Sequence, residues 1–179
     1  MENPNAVKIE DFFSKVLSVI GKTTDAQIAE TLMKGHKTIS VAESLTGGMI
    51  CSRLASISGS SNYFIGGIVC YNTRLKVTEV GVPAALISKH GVASREVAIA
   101  MAENIRKKYR TDIGLSATGF AGPAASPTEP VGLAYVALAT EQGTEVRELR
   151  LQGVRTEVRE KATQAALGLL WLKLSGEEL

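Results

Sequence analysis

Serine hydroxyls beside glycine-rich turns, with a tyrosine and a lysine further along the chain, are the part of this sequence equipped for chemistry. The first group is Glu43-Ser44-Leu45-Thr46-Gly47-Gly48, directly after the apolar run Thr38-Ile39-Ser40-Val41-Ala42. Glycine lets the backbone approach a ligand, and a helix starting just beyond would aim free N–H groups at a phosphate or an oxyanion. The plainer reading is a capped helix start, because Ser and Thr are favoured caps in any case. The second group is Gly59-Ser60-Ser61, leading into a strand that ends in Tyr71-Asn72-Thr73-Arg74-Leu75-Lys76. Serine needs a base before it can attack. A lysine desolvated in a pocket can serve as that base, so Lys76 is the candidate, against the ordinary alternative of a solvated surface lysine.

Other chemistries lack their residues. His36 and His90 are the only histidines, neither stands in a Gly-x-Ser-x-Gly context, and His90 before Gly91 reads as a helix end. No paired-histidine or Asp-rich pattern suggests a protein-held metal, and Walker A and Gly-x-Gly-x-x-Gly signatures are missing, so no cofactor is expected. Cys51 and Cys70 lie in apolar stretches without metal spacing and are expected to be buried free thiols.

The elements that must position these residues follow from periodicity. Charged and apolar groups alternate at helical spacing from Val7 to Ile20, and Thr24-Asp25 offer caps for a helix ending near Gly35. A strand over Lys37–Ala42, the Ser44 loop and a helix through Ile57 form one unit. A second strand over Ile65–Tyr71, a short helix from Arg74 to Val80, and another helical turn from Pro83 to Lys89 come next. Ser94 caps a longer helix in which Val97, Met101 and Ile105 share a face, with Arg106, Lys107 and Lys108 at its C-terminus. Asp112–Thr118 is a third strand, ending at Gly119-Phe120-Ala121-Gly122-Pro123 and a loop running to Pro130. Strands over Gly132–Thr140 and Glu145–Leu151 are close enough to form a hairpin, so the α/β sheet is mixed. A helix over Thr156–Leu174 turns Leu167, Leu170, Trp171 and Leu174 inward. In such sheets ligands sit beyond the carboxyl ends of strands, which selects the loops at Ser44, Tyr71 and Gly119.

With 179 residues, 45% apolar and 21% charged, the chain has the composition of one globular domain. Lys plus Arg exceed Asp plus Glu by two, so a small anion is a better partner than a nucleic acid. No apolar run is long enough to span a bilayer and Met1–Glu10 has no leader-like apolar core, so a cytoplasmic location without membrane attachment is expected.

Val41 through Gly48, Gly59-Ser60-Ser61, Tyr71 through Lys76, and Gly119 through Pro123 occur in an order that resembles the CinA C-terminal domain, or nicotinamide-nucleotide amidase, family. His90 through Ser94, Pro130-Val131-Gly132 and Gly153-Val154-Arg155 extend the likeness, which runs from about Asp25 to Leu174. The resemblance implies a cofactor-free enzyme that deamidates nicotinamide mononucleotide, on a three-layer α/β/α domain with a mixed sheet of about five strands. It implies catalysis by Ser44 or Ser61, with Lys76 as base and Tyr71 as helper. Ser44 ranks first because it stands directly after a strand, where N–H groups are close; Ser61 attacking with Ser44 in support would give the same reaction. Thr46, Gly47, Gly48, Thr118 and Gly119 would shape the substrate pocket, and Arg155 would pair with the 5′-phosphate unless it is a helix-surface arginine. A homodimer is the expected assembly.

Two positions depart from the family pattern: Leu45 stands where cysteine is usual, and Val154 where aspartate is usual. The second keeps a non-catalytic nucleotide-binding or protein-interaction module in view. The resemblance accounts for nearly the whole chain, with residues 1–24 as a helical extension, and so describes a stand-alone form.

Overall fold

The computed structural model describes residues 25–123 and 130–176; the expected Val7–Ile20 helix and most of the loop after Pro123 lie outside these. In chain order the elements are α1 (Asp25–Lys34), β1 (Ile39–Glu43), α2 (Met49–Ala55), a 3-10 turn (Ser60–Asn62), β2 (Phe64–Val69), α3 (Thr73–Thr78) and α4 (Ala84–His90). They continue with α5 (Arg95–Tyr109), β3 (Ile113–Gly119), β4 (Leu133–Thr140), β5 (Gly143–Arg150) and α6 (Arg155–Ser175). The sheet order is β2-β1-β3-β4-β5. β1 runs parallel to both β2 and β3, while β4 is antiparallel to β3 and to β5. This is the expected mixed sheet of an α/β fold.

Every residue of β1 is buried, which explains why its apolar run is unbroken by solvent-facing polar residues. Strand pleating sends successive side chains to opposite faces. Ile39 and Val41 join the core shared with α1, α2 and α6. Ser40 faces the other way, where its hydroxyl donates to the Ile105 carbonyl of α5, and Ala42 packs beside Val97, Met101 and Ile105. The expected stripe of α5 is therefore buried in full, at roughly 1.5–3 kcal/mol for each large aliphatic side chain. Ser94 caps that helix by accepting from the Val97 N–H. Gly91, at φ 86°, terminates α4 after His90 as its left-handed backbone requires.

Element boundaries shift by one or two residues for local reasons. β1 starts at Ile39 because the Lys37 N–H turns back to the Leu32 carbonyl and the Thr38 N–H is taken by the Asp112 carboxylate. The β4–β5 turn is only Glu141-Gln142, because Thr140 already pairs with Gly143. Both cysteines are free; Cys70 is buried, whereas Cys51 is only half-buried on α2. No helix among the described residues is long and apolar enough to cross a membrane.

Candidate active site

β1 ends in two adjacent polar residues, and its pleat gives them separate surroundings. Glu43 faces α2, fully buried, and its carboxylate accepts hydrogen bonds from the N–H groups of Gly48 (2.9 Å), Ile50 (3.1 Å) and Cys51 (2.8 Å). The start of α2 is thus occupied by a side chain of the protein itself. The expectation that these amides face a substrate is corrected by that carboxylate, which satisfies them internally.

Ser44, one residue on, points to the α5 side, where α3 delivers Lys76. The Lys76 Nζ lies 2.8 Å from Ser44 Oγ, and the two residues are only 3% and 6% exposed. Asn72 sets up this approach by capping α3: its side chain accepts from the Arg74 N–H. Burial pushes the Lys76 ammonium below the ordinary lysine range, opposed by a smaller influence of the neighbouring Cys70 thiol. In the charged state Nζ donates to Oγ. Once Lys76 loses its proton the sense reverses, and the amine lone pair can accept the serine proton.

Ser44 and Lys76 open on a cavity of about 220 Å³ beyond the carboxyl ends of β1, β2 and β3. Thr118 and Gly119 form part of its wall. The Thr118 hydroxyl donates to the Val92 carbonyl at 3.0 Å, and a Cβ on Gly119 would lie 2.6 Å from Ala134 Cα, so only glycine allows β3 to end against β4. Tyr71 stands at the rim, 52% exposed, with its hydroxyl accepting from Arg155. Arg155 also donates to the Gly122 carbonyl, so its guanidinium bridges two sides of the mouth. Leu45, Val92, Phe120 and Val131 supply apolar surface. Among the described residues the lining has two cationic side chains, Lys76 and Arg155, and no carboxylate.

Not every expected residue arrives here. Ser61 sits in the exposed turn before β2, and β2 runs parallel to β1 with Phe64 beside Ile39. Ser61 is therefore at the amino edge of the sheet and Ser44 beyond its carboxyl edge, a strand length apart at roughly 3.3 Å per residue. Thr46, Gly47 and Gly48 also stay out of the cavity lining. Thr46 is fully buried, a Cβ on Gly47 would meet the Arg159 guanidinium, and the Gly48 amide belongs to Glu43. Glu43 and Arg159, which hold the loop after Ser44 and the start of α2, are the neighbours of the site that sequence reasoning missed. Helical spacing puts Arg159 one turn from Arg155 on α6, but it does not reveal the carbonyls that Arg159 holds.

Val154 occupies the N-cap position of α6, 68% exposed and without a capping hydrogen bond from its side chain, while its N–H donates to Glu157 Oε2 at 3.0 Å. An aspartate at this position would complete a reciprocal cap.

Comparison with known proteins agrees with this architecture. The family model described as the CinA C-terminal domain matches residues 21–174. A CinA-like protein from Koribacter versatilis is 43% identical over 171 residues, covering 94% of this chain and 41% of that protein. A putative competence-damage inducible protein from Desulforamulus reducens is 43% identical over 150 residues, covering 84% and 36% respectively. The chain thus spans about two-fifths of the length of these relatives. Among solved structures, the competence/damage inducible protein CihA from Agrobacterium tumefaciens superposes with a TM-score of 0.76 at 29% identity, covering 93% of this chain and 95% of that one. A CinA-superfamily protein from Klebsiella pneumoniae shares the fold with a TM-score of 0.81 at 24% identity, covering 85% and 96%. With a family model spanning all the described strands and close relatives over most of its length, the chain belongs to the CinA C-terminal domain family.

Proposed function

We propose that the chain is an amidohydrolase that converts nicotinamide mononucleotide to nicotinic acid mononucleotide and ammonia, with Ser44 as nucleophile and Lys76 as its base. The observation that carries this reading is the buried Lys76 Nζ at 2.8 Å from Ser44 Oγ. A lysine needs a reason to be 3% exposed without a carboxylate among its hydrogen-bond partners in the described residues, and use as a neutral amine is such a reason.

The steps balance without another reagent. Neutral Lys76 accepts the Ser44 proton as Oγ attacks the carboxamide carbon, giving a tetrahedral oxyanion. The ammonium returns that proton to the departing nitrogen, the C–N bond breaks, and ammonia leaves an acyl ester on Ser44. Water then attacks the ester, losing a proton to Lys76; on collapse that proton returns to Ser44 Oγ, restoring both side chains, and the released acid ionises by passing its proton to the ammonia. Tyr71 and Arg155 act at the mouth. Arg155, with no carboxylate beside it in the described lining, favours an anionic substrate, and its fork suits a phosphate, which would replace Tyr71 and Gly122 as its acceptor. The apolar wall suits a flat ring.

Ammonia release from nicotinamide mononucleotide, its riboside and free nicotinamide tests the proposal, with turnover expected in that order of efficiency. Failure of the folded chain to release ammonia, under conditions where an active amidase does, would overturn it. Calorimetric binding of the mononucleotide without turnover would instead establish the non-catalytic nucleotide-binding alternative.

A further inference from the structure

Arg155 and Arg159 lie one turn apart on α6 but grip different things. The Arg159 Nε donates to the Leu45 carbonyl and its Nη2 to the Thr46 carbonyl, both at 3.0 Å. Gly47 makes this approach possible: its φ is 61°, and a Cβ there would stand 2.8 Å from Nη2. The guanidinium therefore holds two consecutive carbonyls of the loop that follows the proposed nucleophile.

That grip orients the remaining amides. A trans peptide carries its C=O and N–H in opposite directions, so turning the Leu45 and Thr46 carbonyls onto Arg159 turns the Thr46 and Gly47 N–H groups away from it. The Gly47 N–H reaches the Ser44 carbonyl at 3.1 Å, which fixes the Ser44–Leu45 peptide in turn. The Leu45 N–H on that peptide finds no acceptor among the described residues, although Leu45 is 3% exposed and lines the cavity beside Ser44. A buried amide without an acceptor is costly to folding, and on the residue that follows a nucleophile it is free to serve a ligand oxygen.

We propose that Arg159 is a positioning residue of the reaction, locking the Ser44–Gly47 turn so that the Leu45 N–H donates to the oxyanion formed at Ser44. The inference rests on the Ser44 amidase reading above and names the donor that reading lacks. Arg159 itself touches no reacting atom. Its effect should therefore fall on the transition state and spare substrate binding, which Arg155 and the apolar wall provide.

The test compares the intact chain with Arg159→Met and Arg159→Lys, using nicotinamide mononucleotide and its analogue with an aldehyde in place of the carboxamide. With the aldehyde, a bond forms from Ser44 Oγ to the carbonyl carbon, the π pair moves to oxygen, and the serine proton is held by Lys76. This adduct needs the same donor as the reaction. Arg159→Met should lower kcat by about 100-fold or more, as the loss of an oxyanion donor does elsewhere. KM should stay close to that of the unsubstituted chain, and aldehyde affinity should fall in parallel with kcat. Added guanidinium ion should restore part of the rate, and Arg159→Lys, whose donors sit on a single nitrogen in place of the planar fork, should fall between. The pH midpoint of kcat should not move, because Lys76 is untouched. An Arg159→Met variant with unchanged kcat, or one in which KM rises while the aldehyde keeps its advantage over substrate, would overturn the inference. Should that variant not fold, Arg159→Lys carries the same comparison. If the unsubstituted chain neither turns over nor prefers the aldehyde, the amidase reading fails and takes this inference with it; turnover that survives Arg159→Met removes this inference alone.

Discussion

Replacing Lys76 by methionine should make the protein more stable and leave it nearly inactive. Lys76 is only 3% exposed, so methionine can occupy the space of its aliphatic stem. The substitution deletes the hydrogen bond to Ser44 Oγ, at a cost of about 1–2 kcal/mol. It also removes the burden of holding an ammonium where burial disfavours charge, and each unit by which the folded-state pKa is depressed corresponds to about 1.4 kcal/mol. The second effect should prevail at neutral pH, so that the variant is the more stable protein. In a chain of this size that gain corresponds to roughly 2–4 °C in Tm per kcal/mol.

The sign of the pH dependence follows from the same depression. Below the folded-state pKa both native and unfolded chains carry the ammonium, and the native state bears the desolvation cost. As pH rises through that value toward the ordinary 10.5, the unfolded chain holds the extra proton and native stability climbs. The advantage of Lys76→Met should therefore be largest at neutral and lower pH and vanish above about 10.5. Thermal unfolding of both proteins across this range, read beside ammonia release, gives both halves of the prediction. A variant less stable at pH 7 by more than about 1 kcal/mol would show that the native site stabilises the ammonium, contrary to the reasoning.

Four further outcomes are expected. Ser44→Ala should abolish ammonia release, whereas Ser61→Ala, on the far edge of the sheet, should leave it within about two-fold of the unsubstituted chain. Val154→Asp should raise stability by about 1 kcal/mol by supplying the missing N-cap of α6, read as a Tm shift. Arg155→Ala should reduce the preference for the mononucleotide over the riboside, measured as a ratio of kcat/KM, by about 10-fold or more. The rate should rise with pH on a single ionisation whose midpoint lies below 10.5, and Arg155→Ala should leave that midpoint in place.

Much of the fold was legible because its signals are local. The burial stripe of α5, the Ser94 cap and the Gly91 stop each follow from a few neighbouring residues. The β4–β5 hairpin was visible from the short spacing between two strand patterns, although its turn proved tighter. Which end of a strand a serine occupies was legible too, but only after the parallel pairing of β1 and β2 is known does it separate Ser44 from Ser61. The role of Glu43 was hidden for a related reason. A carboxylate before a glycine-rich loop looks like part of a ligand site, and only the pleat of β1 turns it toward α2 while turning Ser44 toward Lys76. Arg159 acts through contacts with residues 113 and 114 positions away, a separation at which periodicity carries no information.

The most direct test of the Ser44–Lys76 account is to quench the protein in acid during turnover of nicotinamide mononucleotide and locate any covalent adduct by peptide mass spectrometry. The account predicts an acyl group on the peptide containing Ser44, lost in Ser44→Ala together with turnover. An adduct on Ser61, or ammonia release that continues in Ser44→Ala, would contradict it.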